Sequence, residues 1–90
     1  MVKEKNRISD KTDEVLSNIK EIILFNDDFN TFDFVIDTLI ELCEHEPEQA
    51  EQCAMIVHYK GKCSVMSGAY TELKPICIEM SNRNLTVEIK

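Results

Sequence analysis

Apolar residues first gather as the run Ile22-Ile23-Leu24-Phe25, behind Glu21 and ahead of Asn26-Asp27-Asp28. A β-branched and aromatic run closed by turn formers predicts a buried strand entering a turn. Then Phe32, Val35, Ile36, Leu39, Ile40 and Cys43 recur at helical spacing, with Asp33, Asp37, Glu41 and Glu44 on other faces. Asn30 or Thr31 can cap that helix, and Asp33 falls in the first turn, where the dipole favours an anion. Pro47 suits the first position of a second helix, Ala50, Cys53, Ala54 and Val57 form its apolar stripe, and Gly61 stops it. Cys63-Ser64-Val65-Met66 predicts a second strand ended by a turn at Ser67-Gly68. A third helix follows on Leu73, Ile76, Cys77 and Met80, its clean interior confined to residues after Pro75 unless that proline lies in the first turn. Leu85, Val87 and Ile89 alternate with Thr86, Glu88 and Lys90, the period of a half-buried strand. The order β-α-α-β-α-β predicts an α+β fold, a two-layer sandwich of a three-stranded antiparallel sheet and three helices.

Ahead of these elements, residues 1–21 carry five basic and five acidic side chains and a thin apolar signal from Ile8, Val15, Leu16 and Ile19. Residues 1–20 are therefore expected to be a flexible N-terminal arm, and residues 21–90 the folded domain. The formal charge, 10 − 17 = −7, thus falls almost wholly on the domain. Asp27 to Glu51 alone holds nine acids and no Lys or Arg, which reads most simply as the solvated faces of two helices. Such acidity excludes nucleic-acid binding driven by counterion release. With Gly61 and Gly68 as the only glycines, neither a P-loop nor a dinucleotide fingerprint can be written. Apolar runs such as Ile22 to Phe25 are too short for a membrane span or a signal-peptide core, so a soluble cytoplasmic protein is expected. Cys43, Cys53, Cys63 and Cys77 lack the close spacing of a zinc site, and each sits in an apolar pattern. In a reducing compartment they read as buried free thiols.

No catalytic signature is present. The remaining polar features are Asn26-Asp27-Asp28 and His58. Separately they read as a turn bonding its own backbone amides and as a surface histidine stabilised by a helix end. His45, beside Pro47 in the inter-helix turn, receives no role.

Taken together these residues carry more. Phe25-Asn26-Asp27-Asp28-Phe29, then Phe32-Asp33-Phe34-Val35-Ile36-Asp37, then Val57-His58-Tyr59-Lys60-Gly61-Lys62, resembles the Clp-protease adaptor (ClpS) family, the bacterial N-end-rule adaptors. The resemblance is close from Ile22 to Lys62, and beyond Cys63 it keeps only the order strand, helix, strand. It implies a binding protein without catalysis or cofactor, which recognises free protein N-termini with a bulky hydrophobic first residue (N-degrons). Its implied partners are those substrate proteins and the AAA+ unfoldase of the Clp protease, with no nucleic acid and no membrane. Carried over from the family, Asn26, Asp27, Asp28 and His58 hold the α-amino group. Asn30, Phe32, Val35, Leu39, Ala54, Met55 and Val57 form the side-chain pocket.

The chemistry of that assignment is sound. An α-ammonium has three donors, and an Asn carbonyl, a carboxylate and a neutral imidazole nitrogen are suitable acceptors. Charge-assisted hydrogen bonds contribute about 1.5–3 kcal/mol each, and burying a Leu or Phe side chain adds about as much again. After the costs of association, roughly low-micromolar affinity is expected. The chain departs from the family pattern where Phe32 stands in place of a methionine gate, where Ala54 replaces a larger residue, and where Asn30-Thr31 replaces Thr-Pro. Two alternatives stay open: a diverged peptide-binding paralogue of the same fold, and a small metal-dependent enzyme using Asp27, Asp28 and His58 as ligands.

Overall fold

The computed structural model describes residues 18–90. Most of the expected arm therefore lies outside the described residues. Strand β1 spans Ile19–Phe25, helix α1 Phe32–Cys43, helix α2 Pro47–Lys60, strand β2 Lys62–Ala69, helix α3 Tyr70–Asn82 and strand β3 Thr86–Ile89. The strands form one antiparallel sheet in the order β2-β1-β3, and with the three helices they make the expected two-layer α+β sandwich. No helix among the described residues is long and apolar enough to cross a membrane.

Along β1, Ile22 and Leu24 are buried while Glu21 is exposed and Ile23 and Phe25 are half-buried. The alternation turns one face of the central strand to the core. There Ile22 and Leu24 meet Leu39 and Cys43 of α1, Ala50, Cys53 and Val57 of α2, Val65 of β2, Leu73 and Met80 of α3, and Leu85. Thr31 caps α1, its Oγ1 accepting from the Phe34 N–H at 3.1 Å. The stripe expected for α2 is the buried one, and the helix ends at Gly61 with φ of 93°.

Three expectations need correction. Strand β1 begins at Ile19, so Ile19 and Lys20 belong to the sheet, paired with Ala69 and Gly68, and not to an arm. Ser67 and Gly68 form no turn: β2 continues through them to Ala69 because Glu21 and Lys20 supply their ladder partners. A Cβ at Gly68 would lie 3.1 Å from Glu72 Oε2, the end of an exposed flexible side chain that can move aside. Pro75 lies inside α3, beyond its first turn. A proline in a helix interior costs about 3 kcal/mol. Fully buried Leu73 and Met80 on the same helix, at about 1.5–3 kcal/mol each, offset that cost.

All four cysteines are free thiols, but Cys63 and Cys77 are only partly buried. Burial pushes the Cys43 and Cys53 thiols up to about 11, so both stay protonated and behave as small apolar groups. The run of acids is solvated as expected, every one from Asp28 to Glu51 being exposed. Glu41 takes part in an ion pair with Arg83, which also approaches Glu79 at 3.6 Å.

Gly61 offers the cleanest test of this frame. A Cβ there would meet nothing within 4 Å, so a substitution adds only backbone strain. Gly61→Ala should cost about 1–2 kcal/mol in urea unfolding; an unchanged midpoint would contradict the left-handed cap.

Candidate functional site

Where β1 runs out, the chain turns beside the end of α2. The Asn26 N–H donates to the Gly61 carbonyl at 2.9 Å, and Phe25 pairs with Lys62. The Asn-Asp-Asp turn is thereby pinned next to the last turn of α2, which carries His58. Between them and α1 lies a cleft of about 330 Å³ lined by Asn26, Asp27, Asp28, Asn30, Phe32, Val35, Ala54, Val57 and His58. That volume is at the small end for ligand sites, suited to one side chain and its backbone.

Asp27 organises the turn. The N–H groups of Phe29 and Asn30 donate to its Oδ1 at 2.9 and 2.8 Å, and Asn30 Nδ2 donates to its Oδ2 at 2.8 Å. Partial burial alone would push this carboxyl up. The N–H of Asn30, its side-chain amide and the N–H of Phe29 outweigh burial and hold the carboxyl below its ordinary value. A carboxylate offers about four lone-pair sites, so three of them serve the turn and one remains for a ligand. Asp27 is thus first a positioning group.

Asn30 is locked by the same network. Its Nδ2 donates to Asp27 and, at 2.9 Å, to the backbone carbonyl of Asn84. With both amide hydrogens committed to acceptors, Oδ1 is the atom left to meet a ligand. Sequence reasoning missed Asn84, which lies 54 residues away. Its left-handed φ of 69° fits a residue type enriched in that region, but no spacing links it to Asn30.

Two residues assigned to the pocket lie elsewhere. Leu39 is fully buried in the core, one turn below Val35 on α1, and does not line the cleft. Met55 is 42% exposed and is likewise absent from the lining, because its neighbours Ala54 and Val57 hold the inward face of α2. Phe32, by contrast, lines the cleft and is 40% exposed, a wall and not a core ring. His58 is exposed, its ring edge-on to Tyr59 with centroids 5.1 Å apart. His45 proves structural: it is buried, with Nε2 on the Val65 carbonyl. Val65 is the extra residue where the β1–β2 register shifts between Ile22 and Ile23. The histidine thus ties the inter-helix turn to the bulge.

The cleft has an apolar floor of Phe32, Val35, Ala54 and Val57 and a polar rim with two carboxylates, two asparagines and a histidine. Among the described residues no Lys or Arg lines it. Such a lining offers acceptors at its rim and apolar surface at its floor. A metal fits less well: among the described residues no group of three or more His, Cys, Asp or Glu side chains is arranged to hold one.

Comparison with known proteins points the same way. Residues 18–87 match the family described as ATP-dependent Clp protease adaptor protein ClpS, extending the likeness well past Cys63. The ClpS adapter protein of Salmonella arizonae is 38% identical over 65 residues, 70% of this chain and 58% of that protein. That of Pectobacterium carotovorum is 36% identical over 75 residues, 79% of this chain and 71% of the relative. The Escherichia coli relatives are 39% identical but matched over only 53% of their length, so the chain spans between about half and 70% of the curated relatives. Among solved structures, Agrobacterium tumefaciens ClpS2 bound to L-phenylalaninamide shares the fold. The TM-score is 0.77 at 16% identity, covering 81% of this chain and 95% of that one.

The Asp27 network yields a pH test. Because its folded pKa is depressed, its contribution to stability is full above the ordinary value of 3.8 and is lost as the pH falls through the lower folded value. An NMR titration of the Asp27 carboxyl should have its midpoint below 3.8. A midpoint at or above that value would mean that the turn is not held by this carboxylate.

Proposed function

This chain belongs to the Clp-protease adaptor family ClpS, and on that footing we propose that it captures proteins by a free N-terminus with a bulky hydrophobic first residue and delivers them to the AAA+ unfoldase of the Clp protease. One observation carries the recognition half: an acceptor rim without a cation among the described residues, set against an apolar floor in a cleft the size of one residue. The α-ammonium gives its three donors to the Asn26 side chain, the His58 ring and the turn carboxylates, with Asp27 contributing its remaining lone pair. The first side chain lies on Phe32, Val35, Ala54 and Val57. The L-phenylalaninamide bound by the Agrobacterium protein joins a free amine to an apolar group, the combination this cleft suits.

In this reading the protein is a binding module that works in the cytoplasm without cofactor or catalysis. Bond cleavage and ATP use belong to its partner. The carboxylates serve as fixed counter-charge, and acetylating a substrate's α-amine removes the charge and two donors that they meet. Bulky first residues are favoured because smaller ones leave floor unfilled, at about 25 cal/mol for each Å² of apolar surface left wet.

A fluorescent peptide beginning with Leu or Phe should bind with roughly low-micromolar affinity, and its N-acetylated form should not. Asn26→Ala and His58→Ala should each weaken binding by about tenfold or more with unchanged circular dichroism. Equal binding of free and acetylated peptides would overturn the ammonium assignment.

Phe32 sets the shape of the floor. A rigid aromatic ring adapts less than methionine's flexible thioether, and aromatic pairs gain about 0.5–1.5 kcal/mol beyond buried area. Phe32→Met should therefore shift relative affinity from Phe-initiated toward Leu-initiated peptides with little change in Tm. A marked fall in Tm with an unchanged affinity ratio would return Phe32 to the core.

A further inference from the structure

Phe29 is 92% exposed, a large apolar ring left in water at the tip of the turn that builds the cleft. Its backbone is held firmly, because its N–H donates to Asp27 Oδ1. Beside it lies a second hollow, of about 600 Å³, lined by Phe29, Asn30, Asn84 and Leu85. Asn30 lines both hollows, so the two adjoin at that side chain. Asn30 is also the residue whose amide is fixed on both sides, by Asp27 Oδ2 and by the Asn84 carbonyl, which leaves Oδ1 as an acceptor.

We propose that this second hollow is a subsite for the residue that follows the captured first one, and that it prefers an aromatic or large apolar side chain there. The proposal rests on the N-terminal reading given above and deepens it. In a peptide, the next backbone N–H follows directly on the first carbonyl, and successive Cα atoms are about 3.8 Å apart. A chain whose first side chain fills the cleft must therefore pass Asn30 or turn away into solvent. Passing Asn30, it offers an N–H to Oδ1, and its second side chain, pointing away from the first, meets the Phe29 ring. Asn84 supplies the same hollow with its wall and Asn30 with its orientation, so one contact across the α3–β3 turn couples the two subsites. The ring is exposed because its partner arrives with the ligand.

The test uses two fluorescent peptides that begin Leu-Ala and Leu-Phe and are otherwise identical, titrated by anisotropy into the full chain and into Phe29→Ala. The full chain should bind Leu-Phe about two- to tenfold more tightly, the factor of one aromatic pair. Phe29→Ala should erase that preference and leave Leu-Ala affinity within about twofold, whereas Phe29→Tyr should retain it. Equal binding of the two peptides by the full chain would overturn the subsite, as would a preference surviving in Phe29→Ala. Equal weakening of both peptides in Phe29→Ala would also overturn it, showing that the ring supports the turn. N-acetylated Leu-Ala and Leu-Phe separate the two readings: if acetylation is without effect, the ammonium assignment fails whatever the second residue does.

Discussion

Everything in this site depends on how the chain leaves α2. Gly61 takes a left-handed conformation, its N–H closes the helix on the Val57 carbonyl, and its own carbonyl accepts the Asn26 N–H. A residue with a side chain would be strained there. The consequence is topological as well as local. The strand that follows can pair at once with β1, so the end of β1 and the end of α2 become neighbours. One backbone contact thereby places the Asn-Asp-Asp turn against His58, on two elements separated by the whole of α1.

Given that junction, the turn solves a second problem, which is to present acceptors without collapsing onto itself. Asp27 binds the amides of its own turn, and Asn30 is clamped between Asp27 and Asn84. These bonds commit both Asn30 amide hydrogens and leave Asn30 Oδ1, with one lone pair of Asp27, as the remaining acceptors. Among the described residues no Lys or Arg joins the cleft lining, so no cation there competes for them. For the positive donor proposed above, groups fixed in this way lower the cost of ordering on binding.

Opposing demands elsewhere are settled by burial. Pro75 interrupts the hydrogen bonding of α3, yet the helix persists because Leu73 and Met80 are fully buried on it. Val65 breaks the ladder as a bulge, and buried His45 engages its carbonyl. In both places a local rule of backbone pairing yields to a tertiary contact, and in neither does the departure touch the cleft.

The element order, the buried stripe of α2, the stop at Gly61 and the identity of the turn were legible from periodicity and turn chemistry, which depend on neighbours a few residues apart. Local patterning singled out Asn26, Asp27, Asp28 and His58 as polar features, and only the resemblance to the ClpS family joined them into one site. Local patterning failed where distance along the chain and distance in space diverge. Leu39 and Val35 lie one helical turn apart on the same stripe, and only the packing of three elements decides that one reaches the cleft and the other the core. Ser67-Gly68 has turn-forming residues but stays in a strand because β1 offers ladder partners. The Asn84 carbonyl orients Asn30 across 54 residues, a contact that no pattern in the chain encodes, since a backbone oxygen is common to every residue type and only the fold decides where it points.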